Sequence, residues 1–408
     1  MTTRRSVLFG LGGALALAEA MRPAKADTLA QTPDPSGETP ADAPPPAVLE
    51  WHGPHQAGVV TPQTPFAMFA AFDLLSDDRI GLEQTFRELS AEIATLTTSG
   101  PLPQGTNPLM PPPDSGLLGA QMTGQNLSVT VSVGASVFDD RFGLATLRPR
   151  ELTVMERFPN DAIDPNLAHG DLMLQISADT REAVLHGLRA IVRRTGTLLT
   201  PRWQMEGFLP ARAATPAETT PRNMLGFKDG TANIDRTDAA QMDRLVWVGP
   251  SAEPAWTAGG TYQVVRLVRN LVERWDRTQL ASQEAIMGRH KLTGAPLGKS
   301  AEHDVPDMAL MPATAHIRLA NPRQPATEAN LILRRGYNYA RGLDSSGRMD
   351  MGLLFVSYQA SLDAGFRAVQ KRLNGEPLEE YIKPFGGGYF FVLPGVAGQD
   401  YLGQTLLG

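Results

Sequence analysis

Phe66-Ala67-Met68-Phe69-Ala70-Ala71-Phe72-Asp73-Leu74 is an apolar run of strand length, and the helical stripe just beyond it decides the fold. Leu82, Phe86, Leu89, Ile93 and Leu96 come at spacings of four, three, four and three, which is one face of a helix. Ser76-Asp77-Asp78 supplies capping chemistry ahead of that helix. Leu127 to Val133 alternates apolar and polar residues as a half-buried strand does, and Asp171 to Ile176 reads as another strand. Val184, Leu185, Leu188, Ile191 and Val192 make a second helical stripe, so the order is strand, helix, strand, strand, helix. The second half repeats it loosely. Tyr262 to Val268 reads as a strand, Glu273 to Met287 as a helix, Ile332 to Arg335 and Leu353 to Tyr358 as strands, Phe366 to Leu373 as a helix and Tyr389 to Leu393 as a closing strand. Two such halves predict an α+β chain of two ferredoxin-like domains, each a mostly antiparallel sheet with helices on one face. Residues 204–222 hold Pro210, Pro216 and Pro221 among Ala and Thr, which places the junction there and the domains at 49–213 and 214–408.

Ahead of the first domain lies an address. Thr3-Arg4-Arg5-Ser6-Val7-Leu8-Phe9 opens a charged segment, a Gly/Ala/Leu-rich stretch runs to Ala18, and Ala24-Lys25-Ala26 is a small-x-small cleavage site. The arginine pair reads as a twin-arginine export signal over residues 1–26, with a general secretory signal that starts with two arginines as the alternative. Residues 27–48 are Pro-rich and without aromatics, the composition of a solvated linker. No later stretch is long and apolar enough to span a membrane, so the expectation is a soluble, periplasmic mature chain.

At 408 residues, 42% hydrophobic and 20% charged, the composition is that of a globular protein. The chain carries −6 overall, and residues 1–26 carry Arg4, Arg5, Arg22 and Lys25 against Glu19; taking that +3 away leaves −9 on the rest. With no basic run beyond the start, nucleic acid is not expected as a partner. There is no cysteine, which excludes disulfides, thiolate catalysis, iron–sulfur clusters, Cys-based zinc sites, blue copper and thiolate-held or covalently attached haem. Any metal must fall to His, Asp, Glu, Met or Tyr, and there are only seven His.

Three segments carry candidate chemistry. Gly226-Phe227-Lys228-Asp229-Gly230-Thr231-Ala232-Asn233 sets two glycines around an acid, either a plain Asp-Gly turn or a loop whose backbone must approach something flat. His316-Ile317-Arg318-Leu319-Ala320-Asn321-Pro322-Arg323 holds a His beside apolar residues, and Leu331-Ile332-Leu333-Arg334-Arg335-Gly336-Tyr337 ends an apolar run in an arginine pair. Each taken singly reads as structural. His52 and His55 are three apart in a Gly/Pro-rich segment, weak grounds for a metal pair, and His169, His186, His290 and His303 read as structural or surface residues.

Taken together, the segments resemble the dye-decolourising peroxidase family, haem b enzymes of two ferredoxin-like domains. Gly226 to Gly230 matches its GxxDG motif, His316 its proximal haem ligand and Arg334 its distal arginine. His55-Gln56-Ala57-Gly58, His169-Gly170-Asp171, Gly288-Arg289-His290-Lys291, Gly294-Ala295-Pro296-Leu297 and Gly387-Gly388-Tyr389-Phe390-Phe391 also match, so the resemblance runs from about His52 to Gly395. With the export signal, the chain looks most like the periplasmic deferrochelatase/peroxidase group of bacterial iron-uptake systems. The resemblance implies haem b, one per chain, with His316 as the iron ligand and Asp229 and Arg334 as the catalytic pair on the other face. It implies haem contacts from Gly230, Thr231, Ala232, Asn321, Pro322, Arg323 and Arg334, a proximal acid at Glu380, with a solvated Glu of the Glu379-Glu380 pair as the alternative, and distal assistance from Asn233; Leu353 and Phe355 could line the distal pocket, with core packing as the alternative. Relatives carrying an Asn two residues after the arginine differ here, where that position is Gly336.

An Asp can carry peroxide's proton from one oxygen to the other if it reaches both, and an arginine that stays protonated stabilises the departing charge. Trp256, Tyr337 and Tyr339 could relay single electrons to bulky donors, with core packing as the alternative. Expected partners are hydrogen peroxide, small aromatic or dye donors or haem itself, an iron-permease system and a second copy of the chain. The rival activities are deferrochelation, in which iron leaves haem with the porphyrin intact, and non-catalytic haem carriage.

Overall fold

The computed structural model describes residues 48–209, 220–252, 254–398 and 400–408. The expected signal (1–26), all but the last residue of the expected linker (27–48) and positions 210–219 of the expected junction lie outside the described residues. Among the described residues no helix is long and apolar enough to cross a membrane.

β1 (Phe66–Leu74) leads into α1 (Arg79–Leu96), where the Asp78 carboxylate caps the helix by accepting the Gly81 N–H at 2.7 Å. A two-residue ribbon, β2 (Gly100–Pro101) with β3 (Gln121–Met122), precedes β4 (Ser128–Gly134), β5 (Leu172–Ala178), α2 (Arg181–Thr195) and β6 (Leu199–Phe208). The strands lie antiparallel in the order β4-β5-β1-β6. The second half contains α3 (Ala239–Leu245), β7 (Thr261–Asn270), α4 (Val272–Trp275), α5 (Leu280–Met287), α6 (His316–Ala320), β8 (Leu333–Arg334), β9 (Tyr337–Leu343), β10 (Met349–Gln359), α7 (Ala368–Leu373), β11 (Ile382–Val392) and α8 (Gln404–Leu407). Its four long strands run β11-β7-β10-β9, the same arrangement again. Both halves are therefore ferredoxin-like.

The halves share one sheet. β11 pairs with β4 from Phe390–Gly134 to Phe391–Val133 and Val392–Ser132, and β6 meets β9 at Phe208–Asn338. β7 also pairs with β10, so the ring β7-β11-β4-β5-β1-β6-β9-β10 returns on itself. Side chains alternate across it. Ala67, Phe69 and Ala71 of β1 join Met173, Val265, Leu354 and Val356 in a cluster drawn from both halves, inside the ring. Met68, Ala70 and Phe72 point the other way and pack with Leu82, Phe86 and Leu89 of α1 and Val184 and Ile191 of α2.

Three expected elements differ in detail. The helix expected over Glu273 to Met287 is two helices, α4 and α5. Trp275 is fully buried with its Nε1 donating to the Leu225 carbonyl (2.9 Å), and Gln283 Nε2 takes the Trp275 and Thr278 carbonyls at 2.8 and 3.0 Å, groups that a continuous helix would have used itself. Phe366 stands not in α7 but in a π-type turn, Asp363–Arg367, broken by the non-helical Gly365. The closing strand β11 starts seven residues before the expected Tyr389 because its register shifts between Pro384 and Gly386. Gly387, at φ +107°, makes that possible: a Cβ there would lie 2.0 Å from the Val265 carbonyl oxygen.

Candidate active site

β10 has two faces. Leu354, Val356 and Tyr358 enter the ring, and Leu353 and Phe355 line a cavity of about 530 Å³ on the outer face of the second half. Phe366, Val369 and Leu373 roof it from the segment after β10, and Val268 and Ile382 extend its apolar wall.

One side of the cavity is the loop from Arg222 to Asn233. The Asn223 Oδ1 accepts the Leu225 and Phe227 N–H groups (3.1 and 3.2 Å), and the Asp229 N–H donates to the Pro221 carbonyl at 2.8 Å. Gly226 and Gly230 take φ of +84° and +124°, so the glycines of this segment are needed for its backbone. Phe227 packs edge-on to Trp275 at 6.0 Å, anchoring the loop in a small core with Leu225, Met287, Leu378 and Tyr381 at the cavity's edge. Asp229 thereby faces the cavity. Its Oδ1 accepts Arg334 Nη1 at 3.0 Å, leaving Oδ2 with one long contact, Asn223 Nδ2 at 3.4 Å. Arg334 ends β8, opposite Ser357 of β10. Asn233 pins its backbone from both directions: the Arg334 N–H donates to Asn233 Oδ1 (2.9 Å), and Asn233 Nδ2 donates to the Arg334 carbonyl (2.7 Å).

His316 is the first residue of α6 and also lines the cavity. Arg372 ties α6 to α7 by donating to the Leu319 and Ala320 carbonyls (2.9 and 3.1 Å). After α7, Gly375 (φ +80°) turns the chain, and Glu376 comes back beneath the histidine. Its carboxylate oxygens lie 2.8 and 3.0 Å from His316 Nδ1, with the Glu376 side chain only 3% exposed. Burial opposes a charged imidazole there, but the Glu376 carboxylate outweighs it and the His316 pKa is raised, with Asp229 and Arg334 near enough to act on it in opposite senses. Nδ1 is thus engaged and Nε2 left for a ligand, the arrangement that makes a strongly basic metal donor.

Glu380, the expected proximal acid, is 62% exposed and pairs at 3.8 Å with Arg274, away from His316; the carboxylate beside the histidine is that of Glu376. In the sequence, Gly375-Glu376-Pro377 is a turn that sets one acid at the start of a 3₁₀ segment, whereas Glu379-Glu380 lies one turn further on. Of the other expected residues, Gly230, Thr231, Ala232, Asn233, Asn321, Arg323, Arg334, Leu353 and Phe355 line the cavity with Asp229 and His316, and Pro322 does not. Arg289, from the family-like stretch Gly288-Arg289-His290-Lys291 but not itself an expected site residue, lines it too. Burial pushes the Arg289 and Arg323 guanidiniums down. For Arg323 no neighbouring charge offsets that, and Arg289 gives Nη1 to the Gly294 and Glu302 carbonyls at 2.6 and 3.0 Å. A flat apolar ring with anionic arms would meet an apolar floor, an axial imidazole and these two cations, so the residues fit a haem.

Four of the other histidines make packing or hydrogen-bond contacts away from the cavity. His55 stacks on Trp247 at 3.7 Å and its Nδ1 lies 2.7 Å from the Gly259 carbonyl; His52 lies against Trp51. His186 contacts Ser115 and His290 contacts Glu284. No cluster of three or more His, Cys, Asp or Glu suited to a metal occurs among the described residues. Trp256 and Tyr339 are core residues, and Tyr337 is buried at the cavity wall with its hydroxyl unpartnered.

The chain is similar to known proteins over nearly its whole length. Residues 56–209 match the profile described as Dyp-type peroxidase, N-terminal, and residues 220–397 that described as Dyp-type peroxidase, C-terminal. The Deferrochelatase of Escherichia coli strain UTI89 is 51% identical over 414 aligned positions, 99% of this chain and 97% of that protein. The Deferrochelatase of Shigella boydii serotype 4 is 54% identical over 366 positions, 88% and 86% of the two chains. Among solved structures, a DyP-type peroxidase from Cellulomonas bogoriensis superposes with a TM-score of 0.80 at 35% identity, covering 90% of this chain and 99% of its own. Ferric DtpA from Streptomyces lividans gives 0.81 at 35%, covering 88% and 97%. The chain belongs to the DyP-type peroxidase family.

Proposed function

We propose that this DyP-type peroxidase reduces hydrogen peroxide at a haem b bound through His316, with Asp229 and Arg334 as the distal pair. One observation carries the reading. A single cavity holds an imidazole backed by a buried carboxylate and, apart from it, a carboxylate ion-paired to a guanidinium at 3.0 Å. When bound, haem supplies the iron and the redox equivalents. The chain's residues do the rest. Glu376 fixes the His316 ring and its Nδ1–H, presenting Nε2 to the iron. Asp229 Oδ2, free of Arg334, takes the proton from one peroxide oxygen and returns it to the other. The remaining N–H groups of Arg334 stabilise negative charge as the O–O bond breaks. Leu353 and Phe355 exclude water beside them, and Arg289, Arg323 and the Gly230 to Ala232 segment, which line the same cavity, would hold the haem's anionic arms. Small aromatic or dye-like molecules serve as electron donors.

The identity to proteins named Deferrochelatase favours a second activity at the same site, release of iron from haem with the ring intact. The export reading rests on the Arg4-Arg5 pair: the protein leaves the cytoplasm folded by the twin-arginine route and works in the periplasm beside an iron permease, with self-association in keeping. The test is haem-loaded protein given peroxide and an aromatic donor, alongside Asp229→Asn. Turnover that collapses in the variant supports the peroxidase reading, and undiminished turnover sinks the role of Asp229. Porphyrin fluorescence appearing when reductant and haem are added reports the second activity, since the iron-free ring fluoresces and haem does not.

A further inference from the structure

We propose that Glu302 is the positioning residue for Asp229, a buried carboxylate behind the cavity wall that clamps the Gly226-to-Asn233 loop on both sides of the proton carrier. The inference rests on the reading of Asp229 given above. Glu302 does not line the cavity and touches none of the reacting groups. Its side chain is 9% exposed and collects three donors. Lys228 Nζ comes from the residue just before Asp229, Thr231 Oγ1 (2.8 Å) from two residues after it, and Thr220 Oγ1 from the segment that leads into the loop. A carboxylate so placed holds the loop at three points spanning Asp229.

The clamp has its own foundation. Asp304 Oδ2 accepts the Ser300 and Ala301 N–H groups (3.2 and 2.8 Å), closing the turn that presents Glu302. The Glu302 carbonyl accepts Arg289 Nη1 at 3.0 Å, and the same nitrogen holds Gly294 at 2.6 Å. Gly294 packs so tightly on Lys228 that a Cβ there would lie 2.7 Å from its Cδ. The aliphatic stem of Lys228 is therefore sandwiched while its ammonium is neutralised. Without Glu302 that ammonium, carried by the residue before Asp229, would lose the carboxylate that balances it.

The clamp also survives acid. Burial raises the Glu302 pKa, but the hydrogen bonds from Lys228, Thr220 and Thr231 and the Lys228 charge more than reverse this, down to about 2. Lys228 and Arg289 are the charged groups that face it. The residue that holds the Asp229 loop therefore stays ionised well below the usual carboxylate range.

The experiment uses haem-loaded and haem-free Glu302→Gln. In both forms, hydrogen–deuterium exchange over residues 223–233 should quicken by about tenfold, the cost of charge-assisted bonds lost from one local unit. In the loaded form, the rate with hydrogen peroxide should fall by about tenfold at unchanged haem content and Soret band, and its acid limb should move to lower pH, because the released Lys228 charge favours the Asp229 carboxylate. Adding Lys228→Gln should return the limb but not the protection. Thr231→Val removes one bond and should act in the same direction by about threefold, which decides the matter if Glu302→Gln does not fold. Loop exchange and peroxide rate equal to the parent's overturn the proposal. So does a loosened loop with rate and acid limb unchanged. Asp229→Asn run in parallel separates the two failures: if it keeps full turnover, the proton-carrier reading has failed, not the clamp.

Discussion

Glu376→Gln is the perturbation that bears most directly on the proximal side. It keeps the volume and an acceptor for His316 Nδ1–H and removes one buried charge, from a side chain 3% exposed with oxygens 2.8 and 3.0 Å from that nitrogen. At an effective dielectric of about 20, unit charges 4 Å apart interact by about 4 kcal/mol. Burying the carboxylate offsets much of that, and a charge-assisted hydrogen bond contributes about 1.5–3 kcal/mol net. A carboxylate behind a metal-ligating histidine is typically worth about 10- to 100-fold in affinity, the same range at about 1.4 kcal/mol per tenfold. Glu376→Gln should therefore bind ferric haem about 10- to 100-fold more weakly. The Fe(III)/Fe(II) potential should rise by about 59 mV for each tenfold by which the ferric form is disfavoured over the ferrous. Glu380→Gln is the control, because Glu380 is 62% exposed and 3.8 Å from Arg274, a pair worth about 0–1 kcal/mol and with no path to the iron. Haemin titration of the haem-free proteins, read at the Soret band, and spectroelectrochemistry measure both effects. An unchanged Glu376→Gln, or a weakened Glu380→Gln, would refute the reasoning.

Three further outcomes are expected. His316→Ala should purify with little haem and lose most of its Soret absorbance, whereas full occupancy with the parent spectrum would make another residue the ligand. The stability that Glu302 contributes takes its sign from the depressed pKa: it is fully present above about pH 4.5 and disappears as pH falls toward 2, so denaturant curves of parent and Glu302→Gln should converge across that window and stay apart at neutral pH. Arg4→Lys with Arg5→Lys keeps the charge of the leader but should leave precursor in the cytoplasm, seen by fractionation and blotting; efficient appearance in the periplasm would mean a general secretory signal.

The fold was legible where side-chain periodicity is strong. β1 and α1 stand where the spacing of Phe66 to Leu74 and Leu82 to Leu96 puts them, because each buries one clean face. β6 and β9 escaped that reading for physical reasons. β6 carries Pro201 and Arg202 where its register against β1 shifts, and β9 begins buried at Tyr337 to Tyr339 and runs out exposed through Ala340 to Leu343. Closure of the ring was not legible either. It depends on Phe208 meeting Asn338 and on Phe390 to Val392 meeting β4, contacts between residues more than a hundred positions apart that leave no local pattern.

The site divides in the same way. Asp229, His316 and Arg334 read singly as structural and carry a mark only in combination, as two glycines around an acid, a His beside apolar residues and an arginine pair ending an apolar run that together resemble one family. Glu376 and Glu302 have none; each is an ordinary acid in a polar turn, and only tertiary structure gives it a partner. Yet both do the same physical work: each is a buried carboxylate at the back of a functional side chain, outside or at the margin of the cavity, matched to a cation or a polarised N–H. Burying a charge costs several kcal/mol unless it is paired, so a chain that keeps two such acids near one cavity holds them there through the groups they fix. Glu376 fixes the His316 ring and Glu302 fixes the Asp229 loop, which leaves the two sides of the cavity with separate electrostatic supports. Damage to one should leave the other's signature intact: Glu376→Gln should change haem affinity and potential without loosening the Asp229 loop, and Glu302→Gln should loosen that loop without moving the Soret band.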